Sequence, residues 1–537
     1  MSESTSITSK LRLEGLDKSR ASIIVATTLG LLLLSFVYER VIRWYKLRKF
    51  TTINDCGIFD LFSRRAKANF AKNARSLIEE GFAQNKNIFR LHTDLGPTLV
   101  LNARYAEEIK NDDRLSPRPF SAKEFQSHTP GFEPFKFFIS EHHIAQDAVR
   151  MKLNKNLDSL PPSLSEEAAD ILQKQWTDNT GTPNPFFTTR KTTNALSEWH
   201  EILAYPTALY IVAQTSALAM LGPDMCRNEQ WLALATGYTS QAFASLAELK
   251  SYPSPLRPLI HWLLPGQRRV RALLAQTRAL VNPVVDARRR ERERLGAAAP
   301  AHEDALQWVE ELARGRPYDP AVAQLTIAMA SLHSTVDFLV QLLVDLIRNA
   351  ELVRPLREEV VAVLGQSGGA WSKSALFNLR LMDSVMKESQ RLKPISQTFM
   401  KYAALQDVTM RDGTVLPKGS FVCVSAEEMW SPSNFQDPER FDGYRHLERS
   451  KQQDTRAASQ LVSVTPEHIA FGFGKRACPG RFFVAAEVKI ILAHILLKYD
   501  FKLAEGCEPV MMRKGTEQIT DPTTRLLVRR REEEVEL

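Results

Sequence analysis

The chain has 537 residues, of which 44% are hydrophobic and 25% are charged, with 23 Gly and 28 Pro. This composition excludes collagen-like, disordered and disulfide-dense chains, and the length allows more than one domain. The formal net charge is +8, a mild excess that suits an anionic surface and does not require nucleic acid. The cysteines stand apart, without a Cys-x-x-Cys pair, at Cys56, Cys226, Cys423, Cys478 and Cys507. We therefore expect a reducing compartment and exclude a zinc ribbon or a redox pair.

The first patterned element is an uncharged segment of about 18 residues over residues 21–38. A helix of that length spans roughly 27 Å, close to the hydrocarbon thickness of a bilayer. A cleaved signal peptide is the alternative, but Glu39 and Arg40 follow the segment in place of small residues. We therefore predict a single transmembrane anchor over residues 21–42.

The anchor divides the chain into segments of different character. Residues 1–20 form an N-terminal tail, residues 43–80 a linker, and residues 81–537 one large domain. Basic residues are denser after the anchor than before it. By the positive-inside rule, this asymmetry places the large domain in the cytosol.

The body of the chain is predominantly helical. Residues 87–111 predict a strand, a turn, a second strand and a helix. From about residue 140 to 365, apolar residues recur at helical spacing, and residues 321–349 are apolar on most faces, as in a core helix. Residues 395–424 predict short strands and hairpins, and a final helix covers about residues 480–498. The predicted fold class is mainly α with small β-sheets (α+β).

The strongest chemical signal is the sequence FGFGKRACPG over residues 471–480. Cys478 lies in a glycine-rich loop just before the final helix. Peptide N–H groups and the helix dipole are expected there to lower the pKa of the thiol. A single thiolate without protein co-ligands suits the fifth coordination position of a haem iron. A buried structural cysteine is the alternative.

The neighbouring positions have the residue types that a haem site needs. Gly474 and Gly480 leave room for a flat macrocycle to approach. Arg476 is expected to pair with a haem propionate, and Phe471 to pack near the sulfur and limit its access to water.

This segment resembles the haem-binding signature of the cytochrome P450 superfamily at each defining position. The resemblance implies the cytochrome P450 fold and haem b (iron protoporphyrin IX), with Cys478 as axial ligand of the iron. Glu388 and Arg391 are similar to the Glu-x-x-Arg pair of the family, which an arginine from a downstream loop completes. Arg445 fits the family spacing better than Arg440, which is the alternative.

Residues 330–335 (ASLHST) stand in the place of the oxygen-activation motif of the family. This sequence departs from the motif twice, with His333 where an acid is usual and Ser334 where a threonine is usual. The resemblance implies that Ser334 handles oxygen, with Thr335 as the second candidate, and that hydroxyls open a kink here. His333 is either a proton relay or a plain core histidine.

The sequence of the chain resembles those of filamentous-fungal members of the superfamily, such as the ent-kaurene oxidase group. It implies a monooxygenase that oxidises a terpenoid, meroterpenoid or polyketide in secondary metabolism. The predicted pocket residues, for which core packing is the alternative, are Leu325, Met329, Ala330, Ile395, Thr398, Phe399 and Met511. The family's Trp-x-x-x-Arg pattern for haem propionates is missing near residues 140–155, which leaves Arg150 and Lys152 as candidates.

The resemblance also implies partners. The chain has no NADPH or flavin motif, so electrons are expected from a separate NADPH–cytochrome P450 reductase, with cytochrome b5 as a second donor. The expected location is the endoplasmic reticulum membrane, with a single span and a cytosolic catalytic domain. The interleaved glutamates of Arg288–Arg294 argue against a nucleic-acid partner. A haem-thiolate isomerase or dehydratase, and a non-enzymatic haem sensor, stay open as alternatives.

Overall fold

The computed structural model describes residues 45–55, 63–85, 87–177 and 199–535, together with isolated positions between residues 23 and 42. Most of the predicted anchor therefore lies outside the described residues. The positions described within it are helical, and Ile23, Leu34, Tyr38 and Val41 are each more than half exposed. Elsewhere in the described chain, one helix (residues 320–348) has the length and apolarity to cross a membrane, but it is largely buried and is a core helix.

Helices form most of the described structure. From the N-terminus they are α1 (Arg64–Gln84), α2 (Ala106–Ile109), α3 (Pro117–Glu124), α4 (Glu133–Phe138), α5 (Ile144–Asp147), α6 (Leu160–Leu172), α7 (Ala204–Leu221), α8 (Pro223–Cys226) and α9 (Glu229–Ser251). They continue with α10 (Arg257–Ile260), α11 (Pro265–Leu295), α12 (Ala305–Ala313), α13 (Pro320–Arg348), α14 (Val353–Gln366), α15 (Lys373–Asn378), α16 (Arg380–Leu392), α17 (Arg445–Lys451) and α18 (Arg481–Lys498).

The strands are short and form small sheets. They are β1 (Thr52–Ile53), β2 (Ile88–Thr93), β3 (Gly96–Leu101), β4 (Leu115–Ser116), β5 (His200–Leu203), β6 (Thr398–Ala404), β7 (Val408–Thr409), β8 (Val415–Leu416), β9 (Phe421–Ser425), β10 (Tyr499–Leu503), β11 (Met512–Lys514), β12 (Glu517–Ile519) and β13 (Arg525–Arg530). The largest sheet has the order β1-β2-β3-β9-β6-β4, and a smaller one the order β10-β13-β5. The prediction of a mainly α fold with small sheets is confirmed.

Helix α13 runs through the main hydrophobic core. Pro320 occupies its first turn, where the missing N–H costs nothing. The Asp319 carboxylate caps it by accepting from the N–H groups of Ala321 and Val322, at 3.1 and 3.3 Å. Its apolar residues pack among those of α6, α7, α16 and α18. A second core lies against the six-stranded sheet.

The segment before α1 is packed onto the body. Leu47 and Phe50 are 1% and 7% exposed and belong to the core that lies against the six-stranded sheet. Strand β1 then pairs in parallel with β2. The predicted boundary at residue 80 falls inside α1, so the linker includes folded structure.

Candidate active site

The loop before α18 is closed by its own backbone. The Cys478 N–H donates to the Phe471 carbonyl at 2.7 Å, and the Gly472 N–H donates to the Ile469 carbonyl at 2.7 Å. Gly472 and Gly474 have φ of +73° and +74°, which glycine adopts without strain. Helix α18 begins three residues after the cysteine, at Arg481. Cys478 is thereby presented at the wall of a cavity.

The protonation of Cys478 differs from the expectation. Burial raises the pKa of this thiol above its ordinary value, whereas the backbone N–H groups of Gly480 and Arg481 and the Arg481 charge lower it. The predicted amide groups are present, but desolvation outweighs them, so the expectation of a lowered pKa for the free thiol was wrong. A metal ligand must be deprotonated, so iron binding at this sulfur releases a proton.

The two predicted glycines have different surroundings. A Cβ at Gly474 would lie 2.5 Å from the Lys110 Cβ and 2.7 Å from the Lys110 carbonyl oxygen. Gly474 is therefore required for close packing against Lys110, and it is not in the lining of the cavity at Cys478. A Cβ at Gly480 would lie 4.0 Å from the Cys478 Sγ and 3.8 Å from Val149, which is ordinary contact beside the sulfur.

The cavity at Cys478 has a volume of about 930 Å³ and extends to α13. Of the predicted pocket residues, Ala330, Ile395 and Phe399 line it, together with Phe471, Gly480 and Arg476 from the cysteine loop. The other four predicted pocket residues, Leu325, Met329, Thr398 and Met511, are not in its lining. Leu325 and Met329 pack instead in a cluster with aromatic residues such as Phe132, Phe135 and Tyr238. Leu325 and Met329 are therefore core residues, as the alternative interpretation predicted.

Within residues 330–335, the hydroxyl residues Ser331, Ser334 and Thr335 all border the cavity. The Ser334 Oγ donates to the Ala330 carbonyl at a long 3.4 Å. Thr335 is 1% exposed, and its Oγ1 has no hydrogen-bond partner among the described residues. Helix α13 is continuous from residue 320 to 348, so these hydroxyl residues do not interrupt it.

His333 contacts residues of two neighbouring helices. Its Nδ1 shares a hydrogen bond of 3.1 Å with the Tyr205 hydroxyl, and its ring stacks on Phe243 with 4.9 Å between centroids. It is not in the lining of the cavity, and burial lowers its pKa below the usual value. This geometry favours the core-histidine alternative over the proton relay.

Basic side chains from separate segments border the cavity, namely Arg118, Arg150, Lys393, Lys401, Lys475 and Arg476. Lys401 and Arg118 are paired with glutamates at 2.7 and 2.8 Å. Arg476 and Arg150 hold their carboxylate neighbours only loosely, at 3.5 and 3.7 Å. Lys152 pairs with Glu311 at 2.6 Å and does not border the cavity. Sequence reasoning missed Arg118, for which no local pattern gave a signal.

Behind the cavity, Glu388 is the centre of a buried ion cluster. Arg391 donates to both carboxylate oxygens, at 2.8 and 2.9 Å, and both side chains are 0% exposed. Arg445 donates to Glu388 at 2.9 Å, and also to the carbonyl of Arg440 at 3.1 Å. Of the two candidates, Arg445 and Arg440, the structure thus pairs Arg445 with Glu388. His446, which the sequence did not suggest, lies 3.3 Å from the same carboxylate.

The family model for Cytochrome P450 matches residues 318–529. Cytochrome P450 monooxygenase ntnM of Nectria sp is 40% identical over 492 residues, which cover 92% of this chain and 90% of that protein. The chain belongs to the cytochrome P450 family. Dideacetyl fusicoccin A C-19 hydroxylase of Phomopsis amygdali is 38% identical over 514 residues, covering 96% of this chain and 94% of that protein.

Among solved structures, this cytochrome P450 is similar to the retinoic acid-bound cyanobacterial CYP120A1. The TM-score is 0.59 at 20% identity, over 86% of this chain and 95% of that chain, which supports the fold. With the monooxygenase relatives, these findings make the protein a haem-thiolate monooxygenase. It therefore uses haem b and a redox partner, and its substrate is lipophilic.

The residues present fit haem b. In the part of the chain that the structure describes, the cavity of about 930 Å³ has a single cysteine sulfur in its wall, and no group of three or more side chains there would hold a bare metal ion. One sulfur suffices for an iron whose in-plane ligands come from a porphyrin. Arg476 and Arg150, with their loose carboxylate pairs, are available to propionates at the cavity edge.

Proposed function

We propose that this cytochrome P450 hydroxylates a terpenoid, meroterpenoid or polyketide in fungal secondary metabolism. The observation that carries the proposal is the joint presence of the cysteine sulfur and the α13 hydroxyls on one cavity. Aliphatic and aromatic side chains such as Ile327, Ile395 and Phe399 form part of its wall, which suits a lipophilic ligand. The relative from Phomopsis amygdali, named as a hydroxylase of a fusicoccin, supports the substrate class.

The chain's own residues have separate roles in this proposal. Cys478 would hold the haem iron through its sulfur, and Arg476 and Arg150 would pair with the propionates. The bound haem supplies the activation of oxygen and the oxidation of a C–H bond. The walls of the cavity orient the substrate and exclude water, and Ser334 or Thr335 donates a hydrogen bond where oxygen binds. Glu388, Arg391 and Arg445 hold the core behind the site.

The test is a reconstitution with a fungal NADPH–cytochrome P450 reductase and candidate terpenoids. We expect a substrate-induced spin shift, NADPH consumption that depends on substrate, and a product with one oxygen atom from labelled O₂. Conversion of a substrate without reductase would instead support an isomerase or dehydratase. Binding of ligands without any turnover would support a haem sensor.

Ser334→Ala should raise the yield of hydrogen peroxide per NADPH, because a hydroxyl that steadies bound oxygen is lost. Thr335→Ala is the matched variant, since its Oγ1 is buried, faces no protein partner among the described residues and borders the same cavity. Both variants are assayed for peroxide and product with the reductase. If the yield of product per NADPH is unchanged in Ser334→Ala but falls in Thr335→Ala, the hydrogen bond to oxygen is assigned to Thr335.

The electron donor is proposed to be an NADPH–cytochrome P450 reductase, with cytochrome b5 as a second donor. Lys475 and Arg481 flank Cys478 in sequence, and a basic surface there would attract an acidic partner. The location proposed is the endoplasmic reticulum membrane, through the anchor at residues 21–42, with the catalytic domain at residues 81–537 in the cytosol.

Removal of residues 1–44 should release the protein from membranes, because it deletes the anchor and keeps the packed segment. Removal of residues 1–50 also deletes Leu47 and Phe50, which are buried. The longer deletion should therefore lower the free energy of unfolding by about 1.5–3 kcal/mol for each lost side chain. Sedimentation with vesicles and urea unfolding measure the two effects. Persistent sedimentation of the shorter deletion would show a second membrane contact.

A further inference from the structure

The His333 side chain does not line the cavity, so it has no direct contact with the space in which the reaction takes place. The Tyr205 hydroxyl and the Phe243 ring hold the His333 side chain against helices α7 and α9. The monooxygenase reaction nevertheless consumes protons beside the cavity. Another titratable group in the cavity wall is therefore needed to supply them.

A buried ion pair borders the cavity one turn further along α13. Asp337 and Lys393 both line it, and their side chains are 4% and 2% exposed. The Lys393 ammonium donates to the Asp337 carboxylate and, at 2.9 Å, to the Thr520 hydroxyl. The Thr520 N–H donates to the other Asp337 oxygen at 2.7 Å.

The hydrogen bonds of this pair leave one N–H of the Lys393 ammonium unused. An ammonium has three N–H donors, and these contacts use two of them. Ser334 and Thr335 border the same cavity, and the Thr335 hydroxyl has no partner among the described residues. A water molecule between Lys393 and Thr335 would give both the ammonium and the hydroxyl a hydrogen-bond partner.

Fold stability alone does not explain why this ion pair is buried. The cost of removing two charges from water roughly offsets their attraction, so well-packed apolar residues would serve a core equally well. Burial also lowers the pKa of Lys393 below its usual value, which makes the ammonium a better acid than an exposed lysine.

We propose that the Asp337–Lys393 ion pair, and not His333, delivers protons to the oxygen site of this enzyme, through water held by Ser334 and Thr335. The inference rests on the proposed monooxygenase site. It assigns a role to two residues that the motif did not mark, although Asp337 is the first acidic residue within α13.

The proton balance is complete with the reactants of the established activity. Each turnover takes one O₂, two electrons from the redox partner and two protons, and gives one hydroxylated product and one water. In the proposal, an N–H bond of the Lys393 ammonium breaks and its proton passes to the water. The neutral amine that results stays hydrogen-bonded to Asp337 until a proton from solvent restores it.

The test uses the full-length, haem-loaded enzyme and four variants. Lys393→Met removes the donor, and Lys393→Arg keeps a charge that does not release its proton. The double variant Asp337→Asn with Lys393→Met removes both charges. It therefore leaves no unpaired buried charge that would destabilise the fold. Lys489→Met is the matched control, because Lys489 is a buried lysine that is paired at 2.7 Å with Asp383 and does not border the cavity.

The readouts separate proton delivery from folding. Lys393→Met and the double variant should keep the reduced CO band but lose product formation about 10²-fold, with a matching rise in peroxide. Lys393→Arg should not restore the coupling. The infrared C–O stretch of CO bound in the cavity should shift in both Lys393 variants, which reports the lost or altered charge without turnover. Lys489→Met should change none of these readouts.

Three results would overturn the proposal. One is normal coupling in Lys393→Met with an intact CO band. Another is full rescue by Lys393→Arg, which would make the pair a structural tether. The last is a selective loss of coupling in His333→Gln with none in Lys393→Met. Absence of the thiolate-type CO band from the unmodified enzyme is a different failure, because it would reject the haem-thiolate site itself.

Discussion

Cys478→Ala should abolish the thiolate-type band in the reduced, CO-bound difference spectrum and all NADPH-dependent turnover. Among the described residues, Cys478 is the one cysteine in the cavity lining, and an alanine methyl group has no lone pair for an iron. The fold should survive, because the loop is held by the backbone bond between residues 478 and 471. The spectrum of the purified protein and its unfolding midpoint are the two measurements.

Cys507→Ala is the matched control for this prediction. Cys507 is half-buried outside the cavity lining, and its sulfur accepts from the Arg525 N–H at 3.2 Å. Its removal should leave the CO band and turnover in place. A thiolate-type band that survives in Cys478→Ala would show that another residue binds the iron, and the proposed site would have to be abandoned.

Glu388→Gln should destabilise the enzyme by about 3–5 kcal/mol and reduce its haem content, because it leaves buried arginine charge without a carboxylate. Arg391 is 0% exposed and bonds to both oxygens of Glu388. Arg445→Ala should have a similar but smaller effect, since that side chain is 10% exposed. Chemical unfolding and the ratio of haem to protein measure both changes.

Arg440→Ala provides the control, because Arg440 is exposed and contributes its carbonyl to Arg445. We expect a change within about 0.5 kcal/mol for such a surface substitution. Equal losses in Arg440→Ala and Arg445→Ala would contradict the assignment of Arg445 to the cluster.

The sequence predicted the parts of this molecule that depend on near neighbours. The apolar pattern of α13, the strands and turn at residues 87–111, and the helix after Cys478 follow from short-range periodicity, and all three are formed. Glu388 and Arg391 lie three residues apart on one helix, so their pairing also follows from local geometry.

Contacts between distant segments were beyond sequence reasoning. Gly474 packs against Lys110, more than 300 residues away, and the orientation of His333 is set by Tyr205 and Phe243 on two other helices. The pKa of Cys478 depends on burial by the whole fold. None of these effects leaves a periodic or spaced signature in the chain.

The packing of Leu47 and Phe50 has a consequence for how this enzyme would meet its substrate. Only residues 43–46 separate the proposed anchor from the packed segment, a span of at most about 14 Å. With the proposed anchor in a bilayer, so short a tether would hold the catalytic body against the lipid and limit its tumbling. An oily substrate dissolved in the bilayer would then be drawn from a two-dimensional pool, whose local concentration would set the rate of encounter.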